Sequence, residues 1–425
     1  MHAKSRLLIF PGEAENAFEL YQSLRYSTRF EVWGASSRPG CANTLFPRYK
    51  DNLPSIRDAG FLSAFNAFLL SHRIAFILPT HDDAALFLAE HQSALHAKLI
   101  GSNVRCAQLC RDKQQLYAAL AQAEFCPVTF EKPEQVDRWP VFIKPRKGQG
   151  GVGGYRVDDA ATLAQRWSDI PEPVICEYLP GEEYTVDCFS DQHGHLRFAA
   201  PRSRDVIKMG VAFVSRSMPA DRGIQSIAEL LNANLRPRGC WFFQVKRSVS
   251  GTLKMLEVSC RPATGLGLYR HMGVNLPLLA AYDALGLEVT PLVNDLQITM
   301  HRRLRSSYSI SHAFDTVYVD YDDTLIVDGQ VNAVLMQFLY ASRNQGKNLI
   351  LLSRHPGDLR ENMRIFCIPE RLFQQIIHLT QQEKKSAFIT TQQAIFIDNL
   401  FSERDEVLHA RGIPVFDVDA IEELQ

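Results

Sequence analysis

The segment TVYVDYDDTL, residues 316–325, restricts the architecture more than any other stretch of the chain. It is a run of β-formers that stops at Asp320 and leads straight into Asp322, Asp323 and Thr324. An isolated Asp-x-Asp is a common acidic turn, but three more features follow in order. NLILLSR is a strand pattern ending at Ser353, EKKSAFI supplies Lys384 and Lys385, and AIFIDN is a strand pattern ending at Asp398 and Asn399. With PVFDVD these form a βα alternation, which predicts a parallel sheet. The carboxyl ends of parallel strands share one edge, so Asp320, Ser353 and Asp398 are predicted to converge there. Two carboxylates, a hydroxyl and a lysine suit a magnesium–phosphate site. The competing reading is a binding fold with accidental acids.

These motifs make residues 313–425 resemble the haloacid dehalogenase (HAD) superfamily. The resemblance implies a Rossmann-like domain in which Asp320 is the nucleophile and forms an aspartyl-phosphate. Asp322 would act as general acid and then base, and would bind magnesium through its backbone carbonyl. Ser353 and one lysine, preferably Lys385, would hold the phosphate, and Asp398 would complete the metal site. Asn399 stands where a second acid is usual, and Ser402 and Glu403 fall near the same edge. The intervals Thr324–Ser353 and Lys385–Asp398 are too short for a cap domain. An open site implies a substrate that is large or covered by a neighbouring domain.

The first hundred residues also alternate. RLLIF (6–10), FEVWGA (30–35), IAFILPT (74–80) and KLIGS (98–102) have strand patterns. Phe18, Leu20, Tyr21 and Leu24, then Ile56, Phe65, Phe68 and Leu69, then DDAALFLAEHQSAL, have helical spacing. A second parallel sheet is expected. Its first strand ends in a single Gly12 without Gly-x-Gly-x-x-Gly, so a dinucleotide site is poorly supported.

Between these regions lies VFIKPRKGQGGVGGYRV (141–157), a strand that delivers Lys144 to a loop holding Gly148, Gly150, Gly151, Gly153 and Gly154. Glycines let backbone amides approach a polyphosphate and take positive φ. No Gly-Lys-Ser/Thr follows, so this is not a Walker loop; a flexible hairpin tip is the alternative. Three other segments bear on the choice. CRDKQQLYAAL puts Lys113 at a helix start. ICEYLPGEEYTVD (175–187) is a strand–turn–strand with Glu177 and Glu183 about the turn. LKMLEVSCRPATGLGL (253–268) ends a strand with Glu257 and Arg261 before a glycine pair.

In this order the segments resemble the ATP-grasp superfamily, of the carbamoyl-phosphate-synthase-like and D-alanine–D-alanine-ligase-like kind. The resemblance covers about residues 1–300, since LPTHDDAALFLAEHQSAL looks like the pre-ATP-grasp domain. It implies ATP and magnesium as cofactors. Lys113 and Lys144 would hold the α- and β-phosphates, and the loop of Gly148, Gly150, Gly151, Val152 and Gly153 would close over them. Glu177, Tyr178 and Leu179 would form the adenine hinge, and Glu183 would bind ribose. Glu257 would bridge magnesium ions with Gln244 and Ser259 as further ligands, and Arg261 would stabilise the transferred phosphoryl group. One position departs from the usual Glu-x-Asn-x-Arg, which reads Glu257-Val258-Ser259-Cys260-Arg261 here. A serine oxygen is a shorter, poorer magnesium ligand than an asparagine carbonyl. Arg202, Arg204 and Lys208 either line the acceptor side or form a solvated strand face.

The expected fold class is α/β: a pre-ATP-grasp βα domain (1–105), an α+β ATP-grasp domain (106–305) and an uncapped HAD-like domain with a parallel sheet (313–425). HRRLRSSYSISHAF (301–314) reads as a linker. A formal net charge of −1 gives no global field for nucleic acid, and no apolar run is long enough to span a bilayer. Nine scattered cysteines without a CxxC pair fit free thiols in a reducing cytoplasm. The resulting expectation is a cytoplasmic bifunctional enzyme. It would join a carboxylate to an amine through an acyl phosphate and hydrolyse a phosphorylated substrate. The alternative is a HAD phosphatase with a non-catalytic nucleotide-binding module. The substrates are not encoded in a local signature, and the oligomeric state is open, a homodimer included.

Overall fold

The computed structural model describes residues 3–422 except 149, 220 and 305, and leaves out the side chains of residues 41 and 43. The chain divides into two compact units, Met1–Arg303 and Leu304–Gln425.

The first unit opens with five parallel strands, β1 (Ser5–Phe10), β2 (Phe30–Ala35), β3 (Tyr49–Lys50), β4 (Ile74–Pro79) and β5 (Lys98–Leu99), in the order β3-β2-β1-β4-β5. The unbroken apolar runs follow from helices covering both faces. Leu8, Phe10 and Ile77 pack with Phe61, Phe65 and Leu88, while Leu7 and Ile9 pack with Leu20 and Leu24 on the opposite side. Two details differ from the periodicity. Phe18 is exposed. Ile56 precedes the helix Phe61–Ser71 and packs on the core from a turn, because Gly60 starts that helix.

Three antiparallel sheets follow. β6 (Thr129–Phe130), β7 (Val141–Pro145), β8 (Tyr155–Val157) and β9 (Pro173–Glu177) form one in the order β6-β9-β7-β8. β10 (Glu183–Ser190), β11 (Leu196–Ser203), β14 (Gly239–Arg247) and β15 (Leu253–Ser259) form a second in the order β11-β10-β14-β15. β12 (Val206–Lys208), β13 (Val211–Arg216) and β16 (Thr299–His301) form the third. Tyr184, Val186, Phe243 and Val245 share one core with Phe10 of the opening sheet and with Phe65 and Leu88 of the helices that cover it. No boundary between compact units therefore falls near residue 105.

The expected linker at 301–314 starts too early. His301 belongs to β16, and Arg302 donates to the Thr264 carbonyl of the first unit. Arg305, within that stretch, lies outside the described residues.

The second unit is a five-stranded parallel sheet of β17 (Thr316–Val319), β20 (Asn348–Ser353), β21 (Gln375–His378), β22 (Ala394–Ile397) and β23 (Val415–Phe416), ordered β21-β20-β17-β22-β23. Val317, Val319 and Ile397 face one core, Tyr318 and Phe396 the other. β21 has no clear sequence signal, because glutamines and a histidine dilute its apolar pattern. A hairpin of β18 (Ile326–Val327) and β19 (Gln330–Val331), then the helix Ala333–Asn344, fill the first interval expected to lack a cap. The second holds a short turn, Lys385–Phe388. No helix among the described residues is long and apolar enough to cross a membrane.

Candidate nucleotide cleft and carboxylate site

The two-residue repeat of antiparallel strands builds one wall of a cleft in the first unit. Phe243 and Val245 point to the core, which turns Gln244 and Lys246 outward. Gln244 pairs with Glu257 across β14 and β15, and Thr185 pairs with Gln244 across β10 and β14. The opposite wall is the β7–β8 hairpin with its glycine loop. The cleft holds about 270 Å³. Lys113, Lys144, Gly148, Gly150, Gly151, Val152, Glu177, Tyr178, Leu179, Glu183, Gln244 and Glu257 line it, together with Arg204, Ile207, Gly210 and Lys246. Gly153, Ser259 and Arg261 do not, and Gln149 lies outside the described residues.

The glycine loop meets a second lip, the β12–β13 turn. A Cβ on Gly210 would collide with the Gly150 carbonyl, so the two backbones approach only because Gly210 carries no side chain. Arg204 donates to the Gly210 carbonyl at 2.9 Å and pairs with Glu183 at 2.6 Å. Glu183 therefore already holds a cation.

Lys144 Nζ donates to the Tyr117 hydroxyl at 2.8 Å and to the Leu256 carbonyl at 3.1 Å. Burial alone would lower its pKa, but Tyr117, Cys176 and Glu257 outweigh burial and raise it. Lys113 Nζ donates to Gly148 O at 3.0 Å and lies 4.0 Å from Glu257. Its pKa is lowered, chiefly by burial, although Glu257 opposes the shift. Asp112 caps the helix Lys113–Ala119 and fixes where Lys113 starts. The Glu177 carboxylate accepts from Val128 N at 2.9 Å and so pins the hinge segment to its neighbour.

Ser259 is not free to be a metal ligand. Its hydroxyl donates to Asp82 Oδ1 at 2.5 Å, and Arg261 pairs with Asp82 Oδ2 at 3.1 Å. Burial would raise the Asp82 pKa, yet Arg261 and Ser259 together lower it. Asp82 was missed from the sequence, although a signal existed: it opens the helix that follows β4, three residues past the strand end at Pro79 and on the carboxyl edge of a parallel sheet. Arg202 lines neither an acceptor pocket nor a solvated face, because it is buried in an ion pair with Asp187 at 2.8 Å. Lys208 is exposed and lies over the Phe213 ring.

In the second unit Asp320, Ser353 and Asp398 do meet at one sheet edge. Lys385 Nζ lies 2.8 Å from Asp320 Oδ1 and 2.5 Å from Asp398 Oδ2, and is only 3% exposed. Lys384 is exposed and takes no part. Burial pushes Asp398 up to about 6, Asp320 adds to this and Lys385 opposes it. Burial also raises Asp320, whose Oδ1 is buried without a well-directed hydrogen bond. Two carboxylates therefore share one ammonium. Asn399 pairs with Thr324, and Glu403 is ion-paired with Arg354. Ser402 is exposed. Asp322 is gripped by His355, which no sequence motif flagged.

Residues 110–227 match the family model described as "ATP-grasp domain". Residues 169–304 match one described as "ATP-grasp in the biosynthetic pathway with Ter operon". Neither model extends past residue 304. The chain is 24% identical over 366 residues to the carbamoyl phosphate synthase arginine-specific large chain of Bacillus subtilis (strain 168). That match covers 78% of this chain and 34% of the relative, so the chain spans about a third of the relative's length.

Among solved structures, the biotin carboxylase–β,γ-ATP complex of Campylobacter jejuni has a TM-score of 0.56 at 15% identity, covering 68% of this chain and 72% of that one. The L-amino acid ligase of Bacillus licheniformis gives 0.53 at 18%, covering 69% and 76%. The N5-carboxyaminoimidazole synthetase of Staphylococcus aureus, complexed with ADP, gives 0.55 at 14%, covering 69% and 79%. The first unit thus has an ATP-grasp-like fold, and the cofactors of ATP-grasp enzymes are ATP and magnesium.

Proposed function

We propose that the first unit is an ATP- and magnesium-dependent ligase that activates a carboxylate as an acyl phosphate and passes it to an amine or similar nucleophile. One observation carries this: a buried lysine, Lys113, a half-buried one, Lys144, a glycine-rich lip and the Gln244–Glu257 pair face a single cleft. Lys113 and Lys144 would face the phosphates, and the glycine loop would cover them. Residues 177–179 would read adenine, and Glu183 would meet ribose alongside Arg204. The donor set fits magnesium through Glu257 and Gln244, a carboxylate and an amide on adjacent strands, while Ser259 is engaged elsewhere. Bound there, magnesium would neutralise charge on the transferred phosphoryl group. A substrate carboxylate oxygen attacks the γ-phosphorus and the bond to ADP breaks. The acceptor nitrogen then attacks the acyl carbon, phosphate leaves with the bonding pair, and the nitrogen releases a proton. Arg261, held by Asp82, would stabilise the charge that develops.

The second unit is proposed as a HAD-type phosphohydrolase. Two buried carboxylates share the single ammonium of Lys385, which leaves one negative charge for a divalent cation held by Asp320 and Asp398 to balance. Asp320 attacks phosphorus, and Asp322 protonates the departing oxygen. Asp322 then takes a proton from the water that cleaves the aspartyl-phosphate. Ser353 and Lys385 would hold the phosphate.

A second reading keeps only the phosphohydrolase and makes the first unit a nucleotide-binding regulator. The engagement of Ser259 by Asp82 favours it, because one expected metal ligand is lost. ADP release from ATP with pooled carboxylates and amines, beside turnover of generic phosphate esters, separates the readings. Both activities support the bifunctional enzyme, phosphatase alone supports the regulator, and silence in both assays overturns the proposal.

A further inference from the structure

We infer that His355 is a positioning residue that holds Asp322 ready for proton transfer, so that the acid–base group of the second unit is an Asp322–His355 pair. This rests on the phosphohydrolase reading of that unit.

His355 lies two residues beyond the end of β20 and is 11% exposed at its side chain, whereas Asp322 is 42% exposed. Its Nδ1 stands 2.8 Å from Asp322 Oδ1 and 3.1 Å from Oδ2. With its hydrogen on Nδ1 the imidazole donates to both carboxylate oxygens at once. The imidazole is itself fixed. His378 Nε2 donates to the His355 carbonyl at 2.7 Å, which ties its backbone to the end of β21. The Tyr321 ring meets the imidazole edge-on, with centroids 5.4 Å apart. The other neighbour of Asp322 is weak: Ser353 Oγ lies at 3.5 Å.

The two aspartates thus differ in how they are held. Asp320 is locked by burial and by Lys385, as a nucleophile requires. Asp322 must reach a leaving group outside the pocket, so it is exposed. An exposed carboxylate without a partner would sample many rotamers, and proton transfer needs one of them. His355 supplies that restraint without covering the oxygens. Because β20 delivers both Ser353 and His355, one strand end organises the phosphate side and the acid–base side together.

The test uses the full-length chain with magnesium and 4-nitrophenyl phosphate. His355→Ala is expected to lower kcat roughly 30- to 100-fold with KM changed by less than about threefold. Binding of beryllium trifluoride should be unchanged, and phosphate should accumulate covalently on the protein. His355→Asn, whose amide N–H can stand near the imidazole Nδ1–H, should recover kcat to within about fivefold of wild type. Wild-type kcat in His355→Ala overturns the inference. So does a His355→Asn protein that is as heat-stable as wild type yet remains slow. A parallel fall of kcat, substrate affinity and beryllium trifluoride binding in both variants marks a structural role and overturns it too. If the wild type hydrolyses no phosphate ester across a broad panel, the phosphohydrolase reading fails first, and the inference falls with it.

Discussion

Ser259 donates its hydroxyl to Asp82 across 2.5 Å, joining the last residue of β15 to the first turn of the helix Asp82–Glu90. Asp82 also holds Arg261, so a single carboxylate of the opening βα layer organises the far end of the cleft strand. On sequence alone, Ser259→Asn restores the usual family residue and should leave activity equal or higher. The structure reverses that expectation. The site is 4% exposed, and asparagine would bring extra volume where the serine hydroxyl now fits against Asp82. Ser259→Asn is expected to cost about 1–3 kcal/mol and to lower ADP formation. Urea unfolding followed by tryptophan fluorescence, beside ADP release, checks this.

Lys144 is half-buried and donates to Tyr117 and the Leu256 carbonyl, so its ammonium is fixed before nucleotide arrives. Lys144→Ala should weaken ATP binding by at least about tenfold, the scale of one charge-assisted hydrogen bond. Calorimetry with ATP and magnesium reads it, and an unchanged affinity would remove the cleft assignment. Phosphatase turnover should be untouched.

Glu257 pairs with Gln244 on the cleft wall. Glu257→Gln removes charge while keeping shape. ATP should still bind, but ADP release should fall by roughly 100-fold or more, as expected when transition-state charge loses its counterpart. Comparing calorimetry with turnover separates binding from chemistry, and equal losses in both would contradict the assignment.

Asp320 and Asp398 compete for one lysine. Asp320→Asn should abolish phosphatase turnover and beryllium trifluoride binding. In magnesium-free buffer it should leave the melting temperature of the second unit unchanged or higher, because Lys385 and Asp398 then balance one to one. A clear fall in melting temperature would mean that the buried charge balance is misread.

Asp191 accepts from the backbone N–H groups of His193 and His195 and from Arg197 at 2.6 Å. Burial would raise its pKa, but these donors outweigh burial and hold it at about 2. A depressed carboxylate stabilises the fold above its unfolded pKa, so the contribution is complete above roughly pH 4 and is lost as pH falls toward 2. Asp191→Asn should therefore cost about 2 kcal/mol at pH 7 and progressively less as pH drops below 4. Tryptophan fluorescence reads the first unit selectively, since Trp33, Trp139, Trp167 and Trp241 all lie there.

The sequence by itself determined the βα alternation, both parallel sheets and the edge where Asp320, Ser353 and Asp398 meet. These follow from short-range pattern: apolar runs fix strands, strand direction fixes the edge, and motif order fixes which residues reach it. The glycine loop, Lys113, Lys144 and Glu257 were legible for the same reason, since each sits at a strand or helix end with a local signature. Only the tertiary structure decided which partners those groups take. Asp82 reaches Ser259 from 177 positions away, His355 turns onto Asp322 from the loop after a neighbouring strand, and Arg202 disappears into an ion pair with Asp187. Such contacts depend on side-chain direction after the layers have packed. Periodicity encodes which face a residue takes, but not which charge waits opposite it.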